Sequence, residues 1–405
     1  MKTLFRRIHL YLAFGAGLVI MTTCFTGAVL VFEEELQHLF HKERYFVQPG
    51  LAARPIEEII SSLEKKEPAA LINVLKIYTD SSRTIEVSYT LIKDEGIKTG
   101  QSSQLKVVPS KIKQGAKDNI RLIAFVNPYT TEVIEIYNHR DSFFSTMMSL
   151  HRRLLGGDTG KLIVGICTLI FLFILFTGII LWWPKNRNIL EQRLKMKWKG
   201  GWKRVNHDLH IVFGFYSALF LFILAFTGLG WSFAWFNKGI YKVTNSSMQQ
   251  PKPPAVVSLP NAQTLSFDEV LQCIKSKVNS VKYYNISAPK DSISPYTISV
   301  LPFKASHESA VDFYYVNRYE PVIMQYLQYG DRNLGQRVRT IFKPIHTAAI
   351  WGTPSKIIGL IVCILGVIFP VTGYIMWWQR INKASNRKVK QNNASNKLHE
   401  KTKAC

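Results

Sequence analysis

Four long runs without a charged side chain are the feature of this sequence that most limits its fold. Residues 8–32, 162–184, 209–237 and 357–379 contain no Asp, Glu, Lys or Arg. Runs of about 18 or more apolar residues without charge are typical of membrane-spanning helices. We therefore predict four transmembrane helices with these bounds, and a single soluble domain is excluded.

The distribution of positive charge predicts how these helices are oriented. The chain has 405 residues and a formal net charge of +24, from 51 Lys and Arg against 27 Asp and Glu. The segment 1–7, the loop 185–208 and the tail 380–405 carry net charges of +3, +6 and +7. Because cytoplasmic segments of membrane proteins are enriched in Lys and Arg, we predict that these three segments are cytoplasmic. Topology thus accounts for the basic character, and we expect no nucleic-acid partner.

Two long segments face the opposite side of the membrane in this topology. Residues 33–161 and 238–356 contain short stretches that alternate apolar and polar side chains, which is typical of half-buried strands, and each has a helical pattern before them. We predict that each is a small α+β domain, with helices near 56–63 and 267–278 and strands near 85–89, 122–126 and 296–300. The tail is rich in Lys and Asn, and we predict that it is disordered.

An internal repeat relates the two halves of the chain. Each half has a histidine 17 residues before a Thr-Gly pair of its first span, and a histidine 26 residues before a Thr-Gly pair of its second span. These are His9 and Thr26-Gly27, His210 and Thr227-Gly228, His151 and Thr177-Gly178, and His346 and Thr372-Gly373. Both halves begin on the same side, which predicts a four-helix core built from a parallel repeat. Thr-Gly pairs within spans are typical of close helix packing.

The repeat converts four histidines into two predicted pairs. His9 and His210 lie at the cytoplasmic ends of the odd-numbered spans, whereas His151 and His346 lie just before the outer ends of the even-numbered spans. Imidazole is a common axial ligand of haem iron, and helix bundles often hold cofactors in their cores. We predict one haem between each pair, although a single haem remains an alternative. His207 lies one turn before His210 and is an alternative inner ligand.

Several short motifs, taken in order, resemble one known family. They are Val126-Asn127-Pro128-Tyr129-Thr130, Leu150-His151-Arg152, Trp182-Trp183-Pro184, Asp208-Leu209-His210 and Ile345-His346-Thr347. Together they resemble the PepSY-associated transmembrane family, which includes iron-regulated inner-membrane proteins and ferric-siderophore reductases. One departure is Thr131, where the family usually has Gly. The resemblance implies b-type haem bound by His9, His151, His210 and His346.

The expected protein is an α-helical integral membrane protein of the bacterial inner membrane. Its four-helix transmembrane core comes from a parallel internal repeat, with two α+β PepSY-like periplasmic insertions. By resemblance, it passes electrons across the membrane and reduces ferric siderophores or other ferric chelates in the periplasm during iron uptake. We assign no catalytic residue beyond the haem ligands.

The electron donor is expected to be a separate molecule. The cytoplasmic segments of 24 and 26 residues are too short to fold a flavin domain, and no nucleotide-binding pattern is present. A soluble cytoplasmic protein and a membrane quinol both remain open as donors. The alternative function is non-enzymatic, with the PepSY-like domains acting as a sensor or as regulators of a peptidase.

Overall fold

The computed structural model describes residues 1–91, 121–259 and 262–403, with side chains up to residue 383. Part of the predicted domain 33–161 therefore lies outside the described residues. In chain order, the elements are α1 (Lys2–Leu30), α2 (Glu33–Phe40), α3 (Lys42–Tyr45), α4 (Ile56–Lys66), β1 (Ala70–Tyr78), β2 (Ile85–Leu91), β3 (Arg121–Val126), β4 (Val133–Tyr137), α5 (Phe143–Arg153), α6 (Gly157–Trp182), α7 (Arg187–Leu194), α8 (Trp202–Asp208), α9 (Gly214–Ser232), α10 (Ala234–Val243), α11 (Phe267–Lys275), β5 (Val281–Ser287), β6 (Tyr296–Pro302), β7 (Asp312–Val316), β8 (Ile323–Leu327), α12 (Leu334–His346) and α13 (Thr353–Lys403).

The chain divides into two units. The membrane unit consists of Met1–Val31, Met147–Ala234 and Ile345–Cys405. The sheet unit consists of Phe32–Thr146 and Trp235–Pro344. Each unit is therefore assembled from both halves of the sequence.

Four helical segments of the membrane unit are long and apolar enough to cross a bilayer. They are Lys2–Leu30, Gly157–Trp182, Trp202–Ser232 and Thr353–Lys383, with mean hydropathy between 1.8 and 2.8. Each begins four to seven residues before the charge-free run that predicts it. Basic side chains are compatible with the end of a span because their charged groups can reach the membrane surface. Within the unit, α1 and α9 each pack against both α6 and α13, so the four spans form a bundle.

The last helix extends much further than its charge-free run. α13 continues to Lys403, so the prediction of a disordered tail is wrong. No Gly or Pro occurs after Gly373 to end the helix. Adding residues to an existing helix also avoids the unfavourable nucleation step that an isolated Lys-rich and Asn-rich peptide faces.

Among its described residues, the sheet unit has one antiparallel sheet of eight strands, in the order β4-β3-β2-β1-β5-β6-β7-β8. Both long segments therefore have the predicted α+β character. They do not form two separate sheets, however, because β1 pairs directly with β5, with Leu75 opposite Ile286. Joining the halves in this way removes two sheet edges that would otherwise be open to unwanted pairing.

An apolar core holds α4 and α11 against the sheet. Ile59 and Leu63 of α4 and Val270 and Ile274 of α11 are fully buried, and a spacing of four residues puts each pair on one helix face. They pack with alternate side chains of the strands, which in β2 are Ile85, Val87 and Tyr89. The residues between these three are less buried, as expected for a strand whose successive side chains point to opposite faces.

Two carboxylates from different halves cap each other's helices at the start of α4 and α11. The backbone N–H of Ile56 donates to Asp268 Oδ2 at 2.8 Å, and that of Phe267 donates to Glu57 Oε1 at 2.7 Å. Glu57 Oε2 is buried and has no hydrogen-bond partner among the described residues. Burial, followed by the contact with Asp268, raises the pKa of Glu57 to about 7. The folded state thus favours the protonated form of Glu57.

This arrangement predicts a stability that depends on pH. Because the folded pKa of Glu57 lies above its ordinary value of 4.5, the folded state binds more protons between pH 4.5 and 7, and stability falls as pH rises through that window. We expect Glu57→Gln to abolish this fall and to stabilise the protein at pH 8 by about 1–2 kcal/mol, after allowance for solvent screening. Thermal unfolding followed by circular dichroism at pH 5 and pH 8 measures both effects. The control is Glu58→Gln, because Glu58 is exposed. If the two variants change the stability at pH 5 and pH 8 equally, the prediction is contradicted.

Candidate cofactor site

The four histidines predicted from the repeat form two facing pairs in the membrane unit. The ring centres of His9 and His210 are 6.4 Å apart, with an angle of 79° between the ring planes. Those of His151 and His346 are 6.0 Å apart, with an angle of 62°. Each pair combines one histidine from each half of the chain, as the spacing of the repeat suggests.

Each histidine contacts the threonine of a Thr-Gly pair in its own half of the chain. In all four contacts, imidazole Nδ1 lies within hydrogen-bond distance of threonine Oγ1. The contacts are His9 with Thr177 at 3.0 Å, His210 with Thr372 at 2.9 Å, His151 with Thr26 at 3.0 Å and His346 with Thr227 at 3.2 Å. In each half, one contact joins the two spans (His9 with Thr177, and His210 with Thr372), and the other joins the first span to the helix that precedes the second span (α5 or α12).

The hydrogen-bond network determines which ring nitrogen carries the proton. Thr177 Oγ1 donates its only proton to the carbonyl oxygen of Ile174 at 2.9 Å, so this hydroxyl is an acceptor towards His9. The other three threonine hydroxyls donate to carbonyl oxygens three or four residues earlier in their own helices. His151 Nδ1 also lies 3.0 Å from the carbonyl oxygen of Thr23, which can only accept. In the neutral rings, Nδ1 therefore carries the hydrogen and Nε2 has a free lone pair.

The glycine after each threonine makes room for the imidazole. A Cβ atom at Gly228 would lie 3.1 Å from His346 Cε1, and one at Gly373 would lie 3.2 Å from His210 Cε1. The corresponding distance from His9 or His151 is 3.4 Å. An alanine would therefore press on the ring at Gly228 and Gly373, whereas at Gly27 and Gly178 it would make an ordinary contact with it. The sequence indicates that the Thr-Gly pairs are packing positions that also let helices approach or admit the edge of a cofactor, but their role in holding the histidines was missed. The signal was the constant spacing between each pair and a histidine.

Irregular backbone positions two of the histidines. His210 lies in a π-helical turn, Leu209–Phe213, between α8 and α9, and such turns occur often at functional sites. His151 lies near the end of α5, just before Leu154 and Leu155, which have φ angles of 48° and 59°. Non-glycine residues rarely adopt this left-handed conformation, and it brings α5 to a sharp corner. A Cβ atom on Gly160 would lie 1.6 Å from the carbonyl oxygen of Arg153, so only glycine permits this corner.

Burial lowers the pKa of both histidines in the His151–His346 pair. The low-polarity surroundings, together with the neighbouring His346 ring, lower the pKa of His151 to about 4. Burial likewise lowers the pKa of His346. A neutral imidazole with a free Nε2 lone pair is the form that binds a metal.

A cavity of about 820 Å³ adjoins the His9–His210 pair within the membrane unit. His9, His210 and His207 line it, among mainly apolar side chains, and its described lining contains no Asp or Glu. Its volume lies within the range of about 300–1,000 Å³ that is usual for cofactor and small-molecule sites. Four basic side chains also line it, namely Lys2, Arg6, Arg193 and Arg380.

The alternative inner ligand, His207, has different surroundings from His210. Its Nδ1 lies 3.1 Å from Asp208 Oδ1, and half of its side chain is exposed. His207 also lines the cavity. The carboxylate of Asp208 that it contacts accepts a second hydrogen bond from Arg204 Nε, at 2.8 Å. His210, in contrast, faces His9 across the bundle.

The donor set fits a haem iron better than a bare metal ion. The described residues contain no group of three or more His, Cys, Asp or Glu side chains suited to hold a metal ion. Two histidines suffice for haem, because the porphyrin supplies the equatorial ligands. With metal–nitrogen bonds of about 2 Å and roughly 1 Å from nitrogen to ring centre, two imidazoles on one metal have centres about 6 Å apart. The distances of 6.4 and 6.0 Å agree with this value.

These features define a four-span membrane protein with paired, half-buried histidines and an α+β sheet unit. The model of the PepSY-associated TM region family matches residues 6–380 of the chain, and the protein therefore belongs to this family. A comparison with curated proteins finds no match.

The histidine–threonine contacts predict a specific cost of removing one hydroxyl. We expect Thr372→Val to destabilise the protein by about 1–3 kcal/mol, because His210 Nδ1–H loses its acceptor in a buried site. Thr372→Ser keeps the hydroxyl and should retain most of the stability. Unfolding in an SDS titration, followed by circular dichroism, measures the difference.

The matched control for this prediction is Thr168→Val. Thr168 also lies in a span, but its hydroxyl bonds only to the backbone of its own helix, at the carbonyl of Val164. If Thr372→Val lowers the stability no more than Thr168→Val does, the hydrogen bond between Thr372 and His210 contributes nothing to stability, and the prediction is contradicted.

Proposed function

We propose that this protein is a haem-containing oxidoreductase of the bacterial inner membrane that passes electrons across the membrane to periplasmic ferric chelates. The main support is that four half-buried histidines form two facing pairs, each with Nδ1 hydrogen-bonded and Nε2 free. Two ligand pairs at different depths suit two b-type haems. Ferric siderophores are the substrates that membership of the family suggests.

The proposed role of the histidines is to hold two haem irons by Nε2. A bound haem would supply reversible one-electron chemistry between its ferric and ferrous states. The threonines keep each ring in one tautomer and orientation, which raises its basicity as a ligand. Neither pair needs to gain or lose a proton during electron transfer, because threonine and backbone oxygens accept from Nδ1 in both states.

The two pairs belong to opposite ends of the spans. His9 is near the start of α1, while His151 contacts Thr26 near the end of the same helix. A core of about 30 Å separates the two membrane surfaces, and two redox centres divide this distance into shorter steps. We propose that the first pair is cytoplasmic and the second periplasmic, with both termini in the cytoplasm, because the basic segments accompany the first pair.

The two halves are proposed to derive from a duplication. Among the described residues, each half runs from a span through two or three shorter helices and four strands to one more helix and a second span, and each contributes one histidine to every pair. The lipid bilayer surrounds the spans, and the electron donor is either a cytoplasmic protein or a membrane quinol.

Absorption spectroscopy with single-histidine variants tests this function. We expect the purified protein from haem-replete cells to show a Soret band that shifts on dithionite reduction, together with sharp α and β bands. His9→Ala or His210→Ala should lose one haem, and His151→Ala or His346→Ala the other. A pyridine haemochrome assay counts the haem in each variant.

His207→Ala is the control, and we expect it to keep both haems. A colourless wild-type protein would contradict the proposed function and would favour the non-enzymatic sensor or peptidase regulator. Loss of both haems from every single variant would contradict the assignment of the pairs. A reduced protein that is not reoxidised by a ferric hydroxamate or ferric citrate would contradict the proposed substrate class.

A further inference from the structure

The cavity beside His9 and His210 combines an apolar interior with basic side chains from one end of the bundle. Lys2 and Arg6 lie in the first turns of α1, Arg193 lies in α7 just after α6, and Arg380 lies in α13 beyond the apolar part of the span. With no acidic residue in the described lining, this end of the cavity is strongly positive. A purely apolar ligand would offer no negative charge or hydrogen-bond acceptor to these cations.

Two of the four cations already have protein partners. Lys2 Nζ donates to the carbonyl oxygen of Trp183 at 2.8 Å. Arg193 Nη1 donates to the carbonyl oxygen of Leu181 at 3.0 Å and also to that of Trp182. These carbonyls lie at the end of α6, where the helix leaves its last carbonyl groups unpaired. Lys2 and Arg193 therefore complete the end of a helix.

The other two cations are free. Arg6 and Arg380 are exposed at the cavity, and neither makes a hydrogen bond or an ion pair with the residues that the structure describes. A guanidinium group offers several N–H donors in a planar arrangement that matches a carboxylate.

A third unsatisfied donor lies in the wall of the same cavity. Trp182 is 5% exposed and stacks on Phe215, with ring centres 3.6 Å apart. Its indole Nε1–H has no acceptor among the described residues, and Trp182 lines the cavity. A buried donor without an acceptor destabilises the folded state. An acceptor on the molecule that fills the cavity would remove this penalty.

We propose that Arg6, Arg380 and the indole N–H of Trp182 bind the two propionate carboxylates of the haem held by His9 and His210. This inference rests on the proposed function and extends it to the orientation of the inner haem. The apolar part of the cavity takes the porphyrin, and the basic end takes its two acidic side chains. Two free guanidinium groups match two carboxylates, which distinguishes haem from an uncharged quinol in the same space.

Haem with both propionates esterified is the probe that tests this assignment. The experiment uses the full-length His151→Ala variant, purified without haem from haem-limited cells, so that only the inner pair binds. Soret titration measures its affinity for haem and for haem dimethyl ester. We expect haem to bind at least roughly tenfold more tightly, since charge-assisted hydrogen bonds are among the stronger ones. Adding Arg6→Gln and Arg380→Gln should bring the ratio close to one, and adding Trp182→Phe alone should reduce it less.

Arg7→Gln is the matched control, because Arg7 is an adjacent exposed cation that does not line the cavity. A redox titration of the protein with both haems provides a second measurement. Removing Arg6 and Arg380 should lower the midpoint potential of one haem only, because nearby positive charge favours the ferrous state. An unchanged affinity ratio in the double variant, or an equal change with Arg7→Gln, would overturn the inference. If neither form of haem binds any variant with intact His9 and His210, the proposed function itself fails.

Discussion

The hydrogen bond between a histidine and the threonine of a Thr-Gly pair is the interaction on which the membrane unit depends. It occurs four times, and in each case threonine donates to its own helix while accepting from imidazole Nδ1. The His9 and His210 contacts join the two spans of one half, whereas the His151 and His346 contacts join the first span to α5 or α12. The same bond leaves Nε2 free, so a structural contact and a ligand site arise from one arrangement.

The two halves are equivalent in pattern but not in detail. Only the second half places its first histidine in a π-helical turn, beside the buried carboxylate of Asp208. The aromatic contacts differ too, since Trp182 stacks flat on Phe215, whereas Trp377 meets Phe14 edge to face. Equal spacing in the two halves matches the way the histidines face each other. Of these two tryptophans, only Trp182 has a buried indole N–H without an acceptor among the described residues.

Much of the membrane unit could be predicted from the sequence, because the bilayer imposes simple rules. Charge-free length predicted the four spans, and equal spacing predicted that His9 faces His210 and that His151 faces His346. Threonine was harder to interpret, since a hydroxyl in a span most often bonds to its own helix, which these hydroxyls also do. Their second role depends on a ring from another helix. The prediction of a disordered tail was wrong because it considered only the composition of the tail. It did not consider that the tail continues a helix that has already formed.

The sequence by itself determined the number of spans, the alternating strands of the sheet unit and the pairing of the histidines, because these follow from local periodicity and from the repeat. Only the tertiary structure decided that β1 pairs with β5, and that Glu57 and Asp268 cap each other's helices. It alone also brought Arg6, Arg380 and Trp182 around one cavity. These contacts join residues far apart in the chain, and their existence depends on how whole helices and strands pack rather than on any local pattern.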